Sequence, residues 1–478
     1  MNQPETASVI SSSAEVSSAE YFAQRQLKQG TVGWLLLIGL GVAYVISGDF
    51  AGWNFGIAQG GWGGMFIATA LAALMYLCLC LSMSEMSTMM PTAGGGYSFA
   101  RAAFGPFGGY LTGTAILIEY AIAPAAIAVF IGGYCESLFG INGWMIYLAC
   151  YAIFMGIHLK GAGEALKIMF AITLVAAVAL VVFIGAMIPH FNAQNLFDIP
   201  FSTGVGASLF LPHGYLGIWA AVPFAIWFFL AVEGVPLAAE EAKDPAKSLP
   251  RGLIGAMLIL TAFAMLILFL GAGAAGASTL QNSGAPLVDA LVKVYGTNTW
   301  LATFVNFVGL AGLIASFFSI IYAYSRQIFA LSRAGYLPTS LSLTNKNKAP
   351  YLAIIIPGII GFLLSLTKEG DSLILIAVFG ATISYVLILL SHIKLRLSKP
   401  DMPRPYKTPG GIITSSIALV LAVAAVVAGF VVNPKVWFIA AGIYVVFIAY
   451  FLFYSRYHLV KGTPEEEFAN IKAAEQEL

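Results

Sequence analysis

The sequence predicts an all-α membrane protein with twelve transmembrane helices. Of its 478 residues, 59% are hydrophobic and only 9% are charged, whereas a typical soluble domain is about 25% charged. The mean hydropathy is +0.88. Apolar runs recur that are long enough for helices to cross a bilayer and too continuous for the alternating strands of a β-barrel. The net charge of +1 gives no reason to expect nucleic-acid binding, so the lipid bilayer is the expected environment.

Twelve apolar runs follow one another, and we number them spans 1 to 12. They occupy residues 32–59, 62–90, 107–134, 142–158, 164–189, 215–239, 252–276, 298–324, 350–367, 371–393, 411–432 and 436–455. The polar residues 1–30 lack the basic start and short apolar core of a signal peptide, so we expect a disordered cytoplasmic tail. We further expect a first five-helix repeat at 31–189, a second at 190–395, spans 11 and 12 at 396–456, and a cytoplasmic tail at 457–478.

The basic residues indicate the orientation of the chain. When loops and tails are assigned alternately to two sides, 20 of the 23 Lys and Arg residues fall on one side. Only Lys293, Lys368 and Lys435 fall on the other. Because cytoplasmic loops carry the excess of Lys and Arg, we expect both termini in the cytoplasm and the helices in a bacterial cytoplasmic (inner) membrane.

Span 1 contains a stretch that does not suit a continuous helix. Gly48 and Gly52 each cost a helix interior about 1 kcal/mol relative to Ala, and Asp49 costs about 2.5–3.5 kcal/mol to insert at that depth. We therefore expect an interruption here, with Asp49 receiving a cation. The start of a half-helix often binds a substrate carboxylate in transporters. Asp49 would repel that group, so the stretch favours an organic amine without a carboxylate.

Three acids lie well inside spans, namely Asp49, Glu119 and Glu233, and no Lys or Arg lies equally deep to neutralise them. Intramembrane carboxylates usually mark ion or substrate paths. The alternative is a structural hydrogen bond to a neighbouring span. Glu85 lies near the cytoplasmic end of span 2, where we expect it to reach water.

Span 6 carries the features of a second interruption. Glu233 and Pro236 follow the aromatic residues Trp227 and Phe228, and Pro236 lacks the N–H that would bond the carbonyl near residue 232. The aromatic rings offer a cation–π surface worth about 0.5–2 kcal/mol, or they simply pack. Spans 1 and 6 are five spans apart, an odd number, so a five-helix repeat must be inverted. Paired interruptions of this kind predict a site near the membrane midplane.

The sequence offers no catalytic or metal-binding pattern. No pair of histidines has ligand spacing, and no Ser/His/Asp or Cys/His set is convincing. The four cysteines lie in or beside apolar runs and are interpreted as small apolar residues. We therefore expect no metal, no cofactor and no enzymatic activity.

Several stretches resemble the amino acid–polyamine–organocation (APC) superfamily of secondary transporters. VISGDF matches the G-x-G-I-F break of span 1 at Gly48 and Phe50, with Asp49 replacing an aliphatic residue. Other matching stretches are PTAGGGYSFARAAFGPFGGYLTG (91–113), FFLAVEGVPLAAEEAKDPAKSLPRG (228–252), YAYSRQIFALSRAGYLP (322–338) and RPYKTPG (404–410). The resemblance covers most of the chain. It implies twelve helices, with spans 1–5 and 6–10 as inverted repeats and spans 11 and 12 outside this core.

The resemblance also implies roles for particular residues. Glu119 and Tyr120 are similar to an L-E-Y element of span 3, and the residue aligned with Glu119 lines the substrate pocket of related arginine transporters. Trp227 aligns with a tryptophan that stacks on substrate, and Glu233 with a proton-linked glutamate. Some proton-coupled relatives carry a lysine in span 5 where this chain has Ala176.

Within the superfamily, ISGDFAGWNFG (46–56) looks most like the ethanolamine permeases. We therefore expect a secondary transporter that imports ethanolamine or a similar small amine. Asp49 or Glu119 would hold the ammonium, and backbone groups around Ser47–Gly48 and Val232 would take the remaining hydrogen bonds.

The coupling ion is left open by the sequence. A proton carried by Glu233 or Glu119 is one candidate. Sodium is the other, because Ser316 and Ser319 in span 8 could serve a sodium site, although serines within a helix more often bond their own backbone. The alternatives for the whole protein are an amino acid or polyamine transporter or exchanger of the same superfamily, and a channel or receptor.

Overall fold

The computed structural model describes residues 27, 30, 32–297 and 299–460. The regular secondary structure of this part of the chain is helical, and its one β-type contact is a parallel bridge between Val32 and Ala242. The α-helices are α1 Trp34–Val45, α2 Ser47–Phe50, α3 Asn54–Met89, α4 Gly96–Phe139, α5 Trp144–Leu159, α6 Ala162–Met187, α7 Gly214–Trp227, α8 Pro245–Leu266, α9 Ala272–Ala275, α10 Ala277–Leu280, α11 Pro286–Tyr295, α12 Trp300–Arg333, α13 Tyr351–Ser365, α14 Gly370–Ser398, α15 Ile412–Val432 and α16 Pro434–Phe453.

The predicted fold class is confirmed. Nine helical stretches of the described residues are long and apolar enough to cross a membrane, and α1, α5 and α13 are shorter apolar helices. Together they correspond to the twelve predicted spans. Span 3 packs along span 10, and span 2 packs against spans 6 and 7. The predicted N-terminal tail lies almost entirely outside the described residues, as does the C-terminal tail beyond residue 460.

Span 1 is interrupted where the glycines and Asp49 predict. Helix α1 ends at Val45 and is followed by the single helical turn α2. Ala51 then takes an extended conformation, and Gly52 has φ +96°. This left-handed region is strained for a residue with a Cβ atom, so Gly52 allows the chain to leave one half-helix and enter the next.

Span 6 is interrupted earlier than Pro236 alone suggests. Helix α7 ends at Trp227, and Ala231 adopts φ +78°. A 3₁₀-helix then runs over Val232–Glu241 and contains Pro236. Short-range bonds such as Val232 N–H to the Phe229 carbonyl, 3.2 Å, replace the α-helical pattern. The break is therefore a four-residue turn that precedes the acid and the proline.

Candidate substrate site

The two interruptions contact each other directly. A Cβ atom at Gly48 would lie 2.5 Å from the carbonyl oxygen of Trp227 and 3.2 Å from Cα of Phe228. A Cβ atom at Gly52 would lie 2.6 Å from Nε1 of Trp227. Only glycine permits backbones to approach this closely, so the glycines that weaken span 1 also allow it to dock against span 6.

Trp227 joins the two interrupted spans. Its indole Nε1–H donates a 3.0 Å hydrogen bond to the carbonyl of Ala51, and the side chain is buried. Its ring also makes an edge contact with Phe130 of span 3. The neighbouring Phe228 stacks on Trp53 with ring centroids 5.7 Å apart. These aromatic residues therefore form a packed layer on one side of the break.

The side chain of Ser47 faces span 8. Its Oγ lies 2.8 Å from Oγ of Ser316, which in turn donates to the carbonyl of Tyr44 at 2.7 Å. Ser319 donates to the carbonyl of Ser316 at 2.9 Å, so it bonds the backbone of its own helix. Ala176 of span 5 is buried close to Gly312 of span 8. Within the described residues no group of three or more His, Cys, Asp or Glu side chains could hold a metal.

Phe50 anchors the turn α2 to the surrounding helices. Its ring lies where a Cβ atom at Gly309 or Gly312 of span 8 would clash, and its carbonyl accepts a 2.9 Å hydrogen bond from the hydroxyl of Tyr134 in span 3. Ser47 and Phe50 therefore hold α2 against span 8, while Gly48 holds it against span 6.

Asp49 occupies the same turn and is fully buried. Neither of its carboxylate oxygens has a hydrogen-bond partner among the described residues. Burying an unpaired carboxylate is strongly unfavourable, so such a group either holds a proton or awaits a cation. The ion pairs formed among the described residues do not include Asp49. The structure thus places it as an isolated acid at the interruption.

Glu119 and Glu233 form a separate pair. Both are buried, and they are close enough to interact electrostatically. The hydroxyl of Tyr120 lies 3.4 Å from Oε1 of Glu233, whereas both oxygens of Glu119 and Oε2 of Glu233 have no hydrogen-bond partner in the described part of the chain. Like charges at short range cannot both be ionised at low cost. The pair is therefore suited to hold a shared proton or a cation.

Two tyrosines beside this pair were not predicted. The hydroxyls of Tyr76 in span 2 and Tyr385 in span 10 lie 2.7 Å apart, and both residues interact with Glu119 and Glu233. Tyr76 also packs on Phe229 with ring centroids 5.5 Å apart. The two positions are 309 residues apart in sequence, and tyrosine is common in membrane helices. No local signal in the sequence therefore marks them as neighbours of the acids.

The basic-rich end of spans 1, 6 and 8 is tied together by ion pairs. Arg326 donates to Glu241 at 3.0 Å, with both side chains almost fully buried, and Arg333 donates to Glu240 at 2.7 Å. The hydroxyl of Tyr322 also bonds Glu241. The backbone N–H of Val32 donates to the carbonyl of Glu241 at 3.0 Å. These contacts fix the start of span 1 to the segment that follows the break in span 6.

The expectation that Glu85 reaches water is wrong. Glu85 is fully buried because its carboxylate is surrounded by donors from the end of span 10 and the loop before span 11. Arg396 Nε and Arg404 Nε donate to Oε1 at 3.0 and 2.9 Å. The backbone N–H of Thr408 donates to Oε2 at 2.7 Å, and His392 Nε2 lies 3.4 Å from the same oxygen.

Paired helix interruptions of this kind are typical of membrane transporters that bind their solute between two broken spans. A sequence profile for amino acid permeases matches residues 32–453, and the chain belongs to this family of transporters. The predicted superfamily is therefore confirmed, and the family is not one of enzymes.

Several curated proteins are similar over most of their length. An uncharacterised transporter of Rhizobium meliloti is 27% identical, with 80% of this chain and 83% of the relative aligned. The branched-chain amino acid permease BcaP of Bacillus subtilis is 28% identical, over 80% of this chain and 84% of the relative. The aromatic amino acid transport protein AroP of Escherichia coli is 25% identical, over 79% and 84%.

Proposed function

We propose that this permease is a secondary transporter that carries a small solute with an ammonium group by alternating access. The observation that carries the proposal is a set of buried acids, each with at least one oxygen that has no hydrogen-bond partner among the described residues, namely Asp49, Glu119 and Glu233. The buried basic side chains Arg326 and Arg333 are already paired with Glu241 and Glu240. An ammonium would relieve the cost of burying the free acids, and affinity then rests on desolvated charge pairing.

An amino acid is the substrate class that the relatives favour. The printed names of two relatives specify branched-chain and aromatic amino acids. Backbone groups freed at interrupted helices suit a substrate carboxylate. On this basis Asp49 or Glu119 holds the ammonium, and backbone groups around Ser47–Gly48 and Val232 meet the carboxylate.

Ethanolamine is the second candidate, and Asp49 is the observation that favours it. An acid in the turn that precedes the break would repel a carboxylate and accept an ammonium without one. The stretch 46–56, ISGDFAGWNFG, also looks like that of ethanolamine permeases. The remaining groups would act in the same way for either solute. Trp227 and Phe228 would close over the ligand. Glu233 or Glu119 would carry a coupled proton, unless sodium is the coupling ion.

The Asp49→Asn variant tests the proposal. We expect it to raise the apparent KM for the transported amine about 10- to 100-fold, because a hydrogen bond to a charged group contributes about 1.5–3 kcal/mol. The measurement is uptake of labelled ethanolamine, leucine and phenylalanine into proteoliposomes, with counterflow to demonstrate a carrier. Asp371→Asn, which neutralises an exposed acid at the start of α14, is the matched control.

The outcomes separate the two substrates. Saturable uptake of ethanolamine but of neither amino acid favours the amine, and the reverse favours an amino acid. Unchanged transport by Asp49→Asn would remove Asp49 from the site. Conductance far above carrier turnover would instead indicate a channel.

A further inference from the structure

A groove opens at the basic-rich end of the bundle, outside the site between the interrupted spans. It lies between the start of α1, the first half of α8 and the loop that precedes α15, and its volume is about 570 Å³. The lining residues that define its chemistry are Trp34, Lys247, Arg251, Ile254, Leu258 and Tyr406.

Along helix α8, the side chains that line the groove change from basic to aliphatic. Lys247, Arg251, Ile254 and Leu258 are spaced by four, three and four residues, so they lie along one face of the helix. The two basic residues come first, near the helix start at Pro245, and the two aliphatic residues follow toward the membrane interior. A ligand that fits this face has an anionic end and an apolar end.

The other two walls of the groove are held in place. A Cβ atom at Gly252 of α8 would lie 2.5 Å from Cβ of Leu37, and one at Gly255 would lie 2.8 Å from Cδ1 of Ile38. Helix α1 therefore packs tightly against α8 beside the groove. On the loop side, Tyr406 lies between Arg404 and Thr408, which both donate to the buried Glu85. The aromatic side chains of Trp34 and Tyr406 thus face a preformed space.

The charge of the groove is unbalanced. No acid lines it. Lys247 is 3.5 Å from Asp244, but these side chains are 72% and 54% exposed, and exposed pairs of this kind contribute little. Arg251 is exposed and makes no ion pair within the described residues. The head of the groove therefore presents two cations with spare hydrogen-bonding capacity.

We propose that this groove binds one anionic glycerophospholipid from the adjacent leaflet. Its phosphate meets Lys247 and Arg251, its glycerol region lies beside Trp34 and Tyr406, and an acyl chain follows Ile254 and Leu258. Basic pockets between helices recognise anionic headgroups, and Trp and Tyr prefer the interface between headgroup and hydrocarbon. The bilayer supplies such a molecule at this depth, and the lipid would bridge α1, α8 and the loop held by Glu85.

Lipid-dependent thermal melting of the full chain in detergent tests the proposal. We expect phosphatidylglycerol to raise the melting temperature and phosphatidylcholine not to. In a variant with both Lys247→Gln and Arg251→Gln, the apparent affinity for phosphatidylglycerol should fall about thirtyfold, or about 1 kcal/mol per removed charge. The matched control carries Lys160→Gln and Lys346→Gln, which remove two exposed cations elsewhere and should leave the affinity unchanged.

Two further arms define the ligand. Arg251→Lys should retain most of the affinity, because the charge is kept. Inorganic phosphate should not replace the lipid, because it lacks the chain that contacts Ile254 and Leu258. Equal stabilisation of the double variant and the wild type by phosphatidylglycerol would overturn the proposal. Equal stabilisation by inorganic phosphate would overturn the assignment to a lipid.

Discussion

At the scale of single residues, the three buried acids have different surroundings. Asp49 stands alone at the break in span 1, with both oxygens unpartnered among the described residues. Glu119 and Glu233 lie together and are flanked by the hydroxyl groups of Tyr76 and Tyr385. The different surroundings are consistent with two separate roles. In the proposed mechanism the isolated acid holds a substrate ammonium, and the paired acids hold a transferable proton.

The Glu233→Gln variant tests the second of these roles. It removes the titratable proton but keeps the side-chain volume and an acceptor for Tyr120. We expect an inward proton gradient to accelerate uptake into proteoliposomes about tenfold less in this variant than in the wild type. Counterflow of labelled substrate should continue. Glu136→Gln, at an exposed acid bonded by Asn142, should respond to the gradient like the wild type. An undiminished response in Glu233→Gln would assign the coupled proton to Glu119, whereas no response in the wild type would favour sodium.

The sequence identifies the buried acids but not their neighbours. A carboxylate deep in an apolar run is conspicuous in any single sequence, so Asp49, Glu119 and Glu233 are found by composition alone. Whether two of them meet depends on how spans 3 and 6 pack. The expectation for Glu85 was wrong for the same reason, since its partners Arg396 and Arg404 lie 311 and 319 residues away.

At the scale of elements, the sequence predicts that both interruptions exist, but it places the second one less accurately than the first. Gly48, Gly52 and Asp49 mark the first because glycine and charge both weaken an apolar helix. The second begins at Phe228 and turns at Ala231, although Ala231 has no intrinsic preference for a positive φ. Gly48 of α2 packs against the start of this turn, and such a contact between distant segments cannot be read from local propensity.

Substituting Gly48 tests the close approach of the two breaks. Gly48→Ala places a methyl group 2.5 Å from a backbone oxygen, which cannot rotate away, so we expect a loss of about 1–3 kcal/mol in stability. Gly156→Ala in α5 is the matched control, because its Cβ atom would meet nothing within 4 Å. The control should gain up to about 1 kcal/mol from helix propensity. Thermal melting in detergent measures both, and a Gly48→Ala protein that melts and transports like the wild type would contradict the packing argument.

At the scale of the whole molecule, one buried acid connects span 2 to the end of span 10 and the loop that follows it. Glu85 of span 2 binds Arg396 at the end of span 10 and both Arg404 and Thr408 N–H of the following loop. That loop also carries Tyr406, which lines the groove beside α1 and α8. The same carboxylate therefore positions the connection to span 11 and one wall of a second candidate binding site.

The Glu85→Gln variant tests this connection. A neutral amide leaves the buried Arg404 without its counter-charge, and removing one partner of a buried pair costs about 3–5 kcal/mol. Because Arg396 is 23% exposed and recovers hydration, we expect the low end, about 3 kcal/mol, seen as a lower melting temperature in detergent. The surface variant Glu136→Gln should melt like the wild type.

The same variant also tests whether the loop forms the groove. If it does, Glu85→Gln should weaken stabilisation by phosphatidylglycerol even though Glu85 does not line the groove. If Glu85→Gln lowers the melting temperature but leaves the response to phosphatidylglycerol intact, Glu85 stabilises the fold without shaping the groove.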